Sequence, residues 1–255
     1  MVKLDELCRY LDEYLQFEFF PRDISQNGLQ VEGPEEINTI AVAVDARTET
    51  LQQAANLGAD LLFVHHGIFW GRSELIRGPH YRRIKICIDN NLGIYGAHLP
   101  LDAHLEVGNN AVLAQALGLE SVKPWGKYKG QTLGVEGVFP EPLPIEEFLT
   151  KAKAVLEPVG GTVQNFGTGP QKVQRIGVIT GDAANEIPTA AADGLDLLIT
   201  GEPSHVFVIS ADELGVHLVC GGHYATETFG VKAVATHLEE KFGLKTHFIH
   251  LPTGA

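Results

Sequence analysis

Apolar positions recur along this chain at two spacings, and the alternation between them predicts its architecture. Residues 3–16 place Leu4, Leu7, Cys8, Leu11 and Leu15 at the three-and-four spacing of an amphipathic helix. Ser25-Gln26-Asn27-Gly28 reads as a turn, followed by Leu29-Gln30-Val31. Short apolar runs bounded by turn residues read as buried strands. Three occur in the first half: Ile40-Ala41-Val42-Ala43-Val44, ending at Asp45; Leu61-Leu62-Phe63-Val64; and Gly93-Ile94-Tyr95-Gly96-Ala97. Helices are predicted over residues 48–57, stopped by Gly58, over 80–90, and over 109–117, closed by Gly118.

The second half begins with β structure and turns over 119–143. A helix over 145–156 follows Pro144, a favoured start. Gly160, Gly161, Gly167 and Gly169 punctuate a loop-rich stretch that matches no P-loop spacing. Strands are then predicted over 175–179, 196–199, 216–220 and 246–251, with helices over 188–192, 204–214 and 228–242 between them.

The halves echo each other. Ile40-Ala41-Val42 matches Ile176-Gly177-Val178 at an offset of 136 (176 − 40). Gly58-Ala59-Asp60-Leu61-Leu62 matches Gly194-Leu195-Asp196-Leu197-Leu198 at the same offset (194 − 58), and Leu92-Gly93-Ile94 resembles Leu214-Gly215-Val216. Duplication explains this; chance likeness of two βαβ units is the alternative. Alternating strands and helices favour parallel strands with right-handed crossovers. The expected fold is α/β: two similar lobes, residues 1–125 and 126–255, with helices flanking the sheets and a metal cleft between the lobes.

Composition narrows the function. The 255 residues carry a formal charge of −13, which argues against nucleic-acid binding across the whole surface. One segment runs the other way, with Arg72, Arg77, Arg82, Arg83 and Lys85. Three cysteines without CxxC spacing fit a reducing cytoplasm. The acidic start is unlike a signal peptide, and no apolar run approaches the ~20 residues of a membrane span, so a soluble cytoplasmic protein is expected.

The candidate chemistry sits at strand ends, where open α/β sheets bind their ligands. His65 and His66 close one predicted strand, and Gly67 is read as supplying the turn that lets both reach one site. Asp102 follows another strand; His223 and Glu227 follow a third. Imidazole and carboxylate without thiolate suit zinc, iron, manganese, nickel or cobalt. Five ligands exceed one tetrahedral ion and suit two, about 3.5–4 Å apart, which make hydroxide available at neutral pH. Helix capping is the structural alternative for Asp102, and capping or solvent exposure for Glu227. His98 and His104 read either as groups that orient ligands or as unrelated polar contacts. Glu202 occupies the place of His66 under the offset (66 + 136).

These residues give the sequence its resemblance to a known family. Asn27-Gly28-Leu29-Gln30-Val31, His65-His66-Gly67, the segment from His98 to Asp102, Thr200-Gly201-Glu202 and the segment from Gly222 to Glu227 resemble the dinuclear-metal, ring-forming family catalogued as type 2 GTP cyclohydrolase I, or Nif-three-like proteins. The likeness covers nearly the whole chain. The wording of His65-His66-Gly67-Ile68-Phe69-Trp70 and His98-Leu99-Pro100-Leu101-Asp102-Ala103-His104 is that of the short bacterial branch. Many relatives have Thr-Asn where this chain has Leu99-Pro100. The resemblance implies that His65, His66, Asp102, His223 and Glu227 hold two metal ions. It also implies a hexameric toroid, a trimer of dimers, and the stretch 120–172 leaves no room for the extra domain of longer relatives.

The function expected is metal-dependent hydrolysis of a nucleotide or another phosphate-bearing small molecule. His98 is the candidate proton shuttle, and the basic run is the candidate phosphate neutraliser. The rivals are a non-enzymatic metal-binding or metal-handling ring and a ring associated with DNA.

Overall fold

The structure, a computed structural model, describes residues 1–72 and 74–254. The chain opens with β1 (Val2–Lys3), α1 (Leu4–Tyr14), β2 (Gly28–Val31), β3 (Glu36–Ile37) and β4 (Thr39–Asp45). Next come α2 (Thr48–Asn56), β5 (Leu61–His66), α3 (Gly78–Asn90), β6 (Gly93–Gly96) and α4 (Leu99–Ala103). The middle holds α5 (Asn109–Ala116), β7 (Glu120–Tyr128), β8 (Gln131–Pro144), α6 (Ile145–Leu156), β9 (Gln164–Phe166) and β10 (Lys172–Val178). The last third holds α7 (Ile187–Ala192), β11 (Leu197–Thr200), α8 (His205–Leu214), β12 (His217–Cys220), α9 (His223–Thr226), α10 (Thr228–Phe242) and β13 (Lys245–Phe248).

Two compact units result. One comprises residues 1–101 and 231–251, the other 102–230 and 252–254 among the described residues. The first unit is built on a sheet of order β13-β4-β5-β6-β2, in which only β2 runs antiparallel to its neighbour. Every residue of β5 from Leu61 to His65 is fully buried. A strand with apolar side chains on both faces must be covered on both, which is why it reads as a continuous run rather than an alternation. Removing ~25 cal/mol of solvation cost per Å² of apolar surface is what drives that covering.

The second unit repeats the parallel trio. β10, β11 and β12 pair in parallel, and β9 runs antiparallel on β12 as β2 does on β6. On the other side, the long β7–β8 hairpin lies antiparallel to β10. The glycine-punctuated stretch, read as loop, thus contains an edge strand, β9. Its core gathers Leu119, Val135, Phe148, Val173, Ile176 and Val219. Among the described residues no helix is long and apolar enough to cross a membrane.

Candidate metal centre

The parallel strands of each unit end in short segments that carry the polar side chains. In the first unit β5 delivers His65 and His66, and the segment after β6 delivers His98. Their rings lie close: centroids are 4.6 Å apart for His65–His66, 5.1 Å for His65–His98 and 5.6 Å for His66–His98. One ligand nitrogen from each lies within 4.8 Å of the other two.

Each imidazole is held through Nδ1. His65 Nδ1 donates to the Ala97 carbonyl at 2.9 Å, His66 Nδ1 to Asp45 at 2.9 Å, and His98 Nδ1 to Asp23 at 2.9 Å. A carbonyl and a carboxylate only accept, so the proton sits on Nδ1 and the lone pair of each neutral ring is on Nε2. This is the arrangement that prepares a histidine for a metal. Asp23 also accepts from the amides of Ser25 and Leu99 and from the Asn27 side chain. Burial pushes its carboxyl up, yet the hydrogen bonds from His98, Asn27 and Ser25 win, and its pKa falls below the ordinary value.

Gly67 directly follows β5, where the strand ends. Its φ lies outside the left-handed region. What demands glycine is Gln30: a Cβ at position 67 would lie 2.3 Å from both terminal atoms of the Gln30 amide. That amide accepts from the Ile68 N–H at 2.7 Å and donates to the Gln26 carbonyl at 2.7 Å.

In the second unit Asp102 and Glu227 are 5% and 3% exposed, and each presents a carboxylate oxygen within 4.8 Å of the other. Asp102 accepts from Asn109 at 2.9 Å and Thr180 at 3.1 Å. His223 donates through Nδ1 to Glu202 at 2.5 Å, and its Nε2 lies 3.1 Å from Glu227. A lone pair facing a carboxylate oxygen at that distance is repulsive unless a positive charge lies between them. A proton meets the need. Burial draws the His223 pKa down, but Glu227 and Glu202 outweigh it and raise the value to about 9. A divalent cation meets the same need, so this donor set fits a metal. Gly181 leaves the room: a Cβ there would fall 2.5 Å from Glu227 Oε1 and 3.3 Å from His223 Nε2.

His104 accepts the backbone amides of Glu106 and Val107 at 3.3 and 3.2 Å and so shapes its own loop. Asp23, Asp45 and Gln30 escaped the sequence reading as site residues. Asp45 was within reach, because it ends β4 directly opposite His66 on β5. Nothing in the pattern around Asp23 marks it.

The comparisons with known proteins point one way. The model of the Duf34/NIF3 (NGG1p interacting factor 3) family matches residues 2–253. A relative from Deinococcus radiodurans, called a GTP cyclohydrolase 1 type 2 homolog, is 46% identical over 250 residues, covering 98% of this chain and 94% of its own. A relative of the same name from Escherichia coli is 41% identical over 241 residues, covering 91% of this chain and 92% of its own. A crystal structure from Thermus thermophilus superposes over 100% of both chains with a TM-score of 0.90 at 40% identity. A structure described as reduced HcgD from Methanocaldococcus jannaschii gives 0.84 at 26% identity, covering 98% of each chain. The histidine and carboxylate clusters therefore stand in a chain that belongs to the Duf34/NIF3 family.

Proposed function

We propose that His65, His66, Asp102, His223 and Glu227 together hold two divalent transition-metal ions, and that the centre they form hydrolyses a nucleotide or a similar phosphate-bearing small molecule. The observation that carries this reading is the orientation of the imidazoles. Nδ1 of His65, His66, His98 and His223 is committed to an oxygen acceptor in every case, which turns Nε2 toward a ligand. Ions bound there would supply Lewis acidity and a water of lowered pKa. The name borne by the relatives supplies the substrate class.

The chain's own residues carry the rest. Asp45 and Glu202 fix the rings of His66 and His223, and the Ala97 carbonyl fixes His65. Asn109 and Thr180 hold one oxygen of Asp102 in place. His98, 19% exposed and oriented by a buried Asp23, has the geometry of a proton carrier between solvent and the His65–His66 pair. The family resemblance adds to this reading a homohexamer, a trimer of dimers in the cytoplasm.

The test joins elemental analysis of protein purified without chelator to turnover across a nucleotide panel. Wild type should carry up to two metal ions per chain, and Asp102→Ala, Glu227→Ala and His66→Ala should each lose metal and activity together. Full metal content in all three variants would remove the assignment. Two bound metals with no turnover on any nucleotide would leave a metal-handling ring as the better reading.

A further inference from the structure

The basic segment that interrupts this acidic chain folds into a defined place. Arg72, Arg77, His80 and Arg83 line an open depression of about 500 Å³ around the start of α3, with Glu74 as its one carboxylate among the described residues. Three arginines against one acid give a local surplus of two positive charges in a chain of net charge −13. α3 contributes its own polarity. Among the described residues its first turn has no side-chain cap, and it contains no acidic residue, so the positive end of its dipole faces the depression without a carboxylate of its own.

A helix start alone does not make a site. The second observation is His80. It is 5% exposed, and among the described residues neither ring nitrogen has a hydrogen-bond partner. The nearest carboxylate oxygen, on Glu74, is 3.9 Å from Nδ1. A buried imidazole left without an acceptor is destabilising, and an arriving anion would supply the missing partner. Arg83 is only partly satisfied: among the described residues its Nε has no hydrogen-bond partner, while its Nη1 reaches the Ala46 carbonyl at 3.4 Å. Guanidinium forks match phosphate oxygens two at a time, and several forks around one cavity suit a chain of phosphates better than a single carboxylate.

We propose that the depression lined by Arg72, Arg77, His80 and Arg83 is a binding site for a condensed phosphate, either the tail of a nucleotide or free polyphosphate. The site needs no metal ion, so it stands or falls apart from the function proposed above. Its place in the fold is beside the histidine pair. Phe69, three residues after His66, packs edge-on against His80 at 5.2 Å, and Ala46 follows the aspartate that holds His66.

Calorimetric titration of metal-stripped full-length protein with inorganic tripolyphosphate tests this. Saturable binding is expected, weaker at higher salt, and at least about tenfold weaker in Arg77→Ala and in Arg72→Ala. Both arginines are exposed, so the variants should melt with wild type and keep its metal content when loaded. In wild type the His80 ring nitrogens should shift in a nitrogen NMR spectrum as ligand is added. GTP binding more tightly than tripolyphosphate, with guanosine silent, identifies a nucleotide tail; equal affinities identify free polyphosphate. No saturable heat at millimolar tripolyphosphate, or equal binding by wild type and both arginine variants, overturns the proposal.

Discussion

The two parallel trios of this protein share a backbone and differ in their chemistry. Asp60 accepts the amides of Asn38 and Thr39, and Asp196 accepts those of Gln174 and Arg175, each partner displaced by the same 136 residues. The turn bonds repeat as well: Ala59 to Ala54 and Gly58 to Ala55 in one copy, Leu195 to Ala190 and Gly194 to Ala191 in the other. At the far end of the strands the likeness stops. β5 ends in two histidines, whereas β11 ends in Thr200 before Gly201 and Glu202. Glu202 takes the place of His66 and orients His223. The entrance to the strands is a shared folding device, and the exit is where the copies have been given different work.

The sharpest way to break the comparison is at its shared end. Asp60→Ala and Asp196→Ala should each cost about 1–3 kcal/mol, because each strips two partly buried or exposed backbone amides of their acceptor. Urea denaturation of both variants reads the losses. A marked loss in one copy and none in the other would mean that the bonds repeat without the energetics repeating.

A smaller contrast lies at the exits. Asp23, which holds His98, has a lowered pKa, so its stabilisation is present above about pH 4 and is lost as pH falls through its folded value. His223 goes the other way. Its folded pKa of about 9 exceeds the free value of about 6.5, so in metal-free protein its stabilisation is full below pH ~6.5 and fades as pH rises toward 9. The amount is on the order of 2 kcal/mol after allowing for the partly exposed Glu202. An NMR titration of metal-stripped protein should find the His223 midpoint well above free histidine, and Glu202→Gln should lower it. A midpoint near 6.5 in wild type would refute the carboxylate clamp.

The smallest effect belongs to Gly58 and Gly194, both left-handed at φ +66° and +69°. Alanine at either should cost about 1 kcal/mol, read by urea denaturation. Position 58 has open space around it, whereas position 194 meets Arg175 at 3.3 Å, so a larger loss at 194 would measure that contact.

Much of this was legible in the sequence, for reasons that can be named. Runs such as Ile40 to Val44 and Leu61 to Val64 announce strands covered on both faces, and the 136-residue offset announces that they occur twice. The segments after β6 and β12 were harder. They carry Asp102 and His223 on short helical turns, α4 and α9, too brief to leave a period. The final helix and strand were placed by number and not by neighbour. β13 pairs with β4, two hundred residues earlier in the chain, and nothing local to 245–248 says so. The residues that aim the histidines were the least visible, since Asp23 reaches His98 across a loop, by tertiary structure alone.

Gln30 makes the histidine pair dependent on a strand two places away in the sheet. Its amide fills the space that Gly67 and Gly96 leave open and binds the chain just past His66. The pair is therefore not portable. Copying His65-His66-Gly67 onto another parallel strand would transplant the ligands without the wedge that sets where the chain turns away. Anyone grafting this centre into a designed sheet would have to move Gln30 and Gly96 with it. In natural variants, a bulkier residue at 67 should be accompanied by a shorter one at 30.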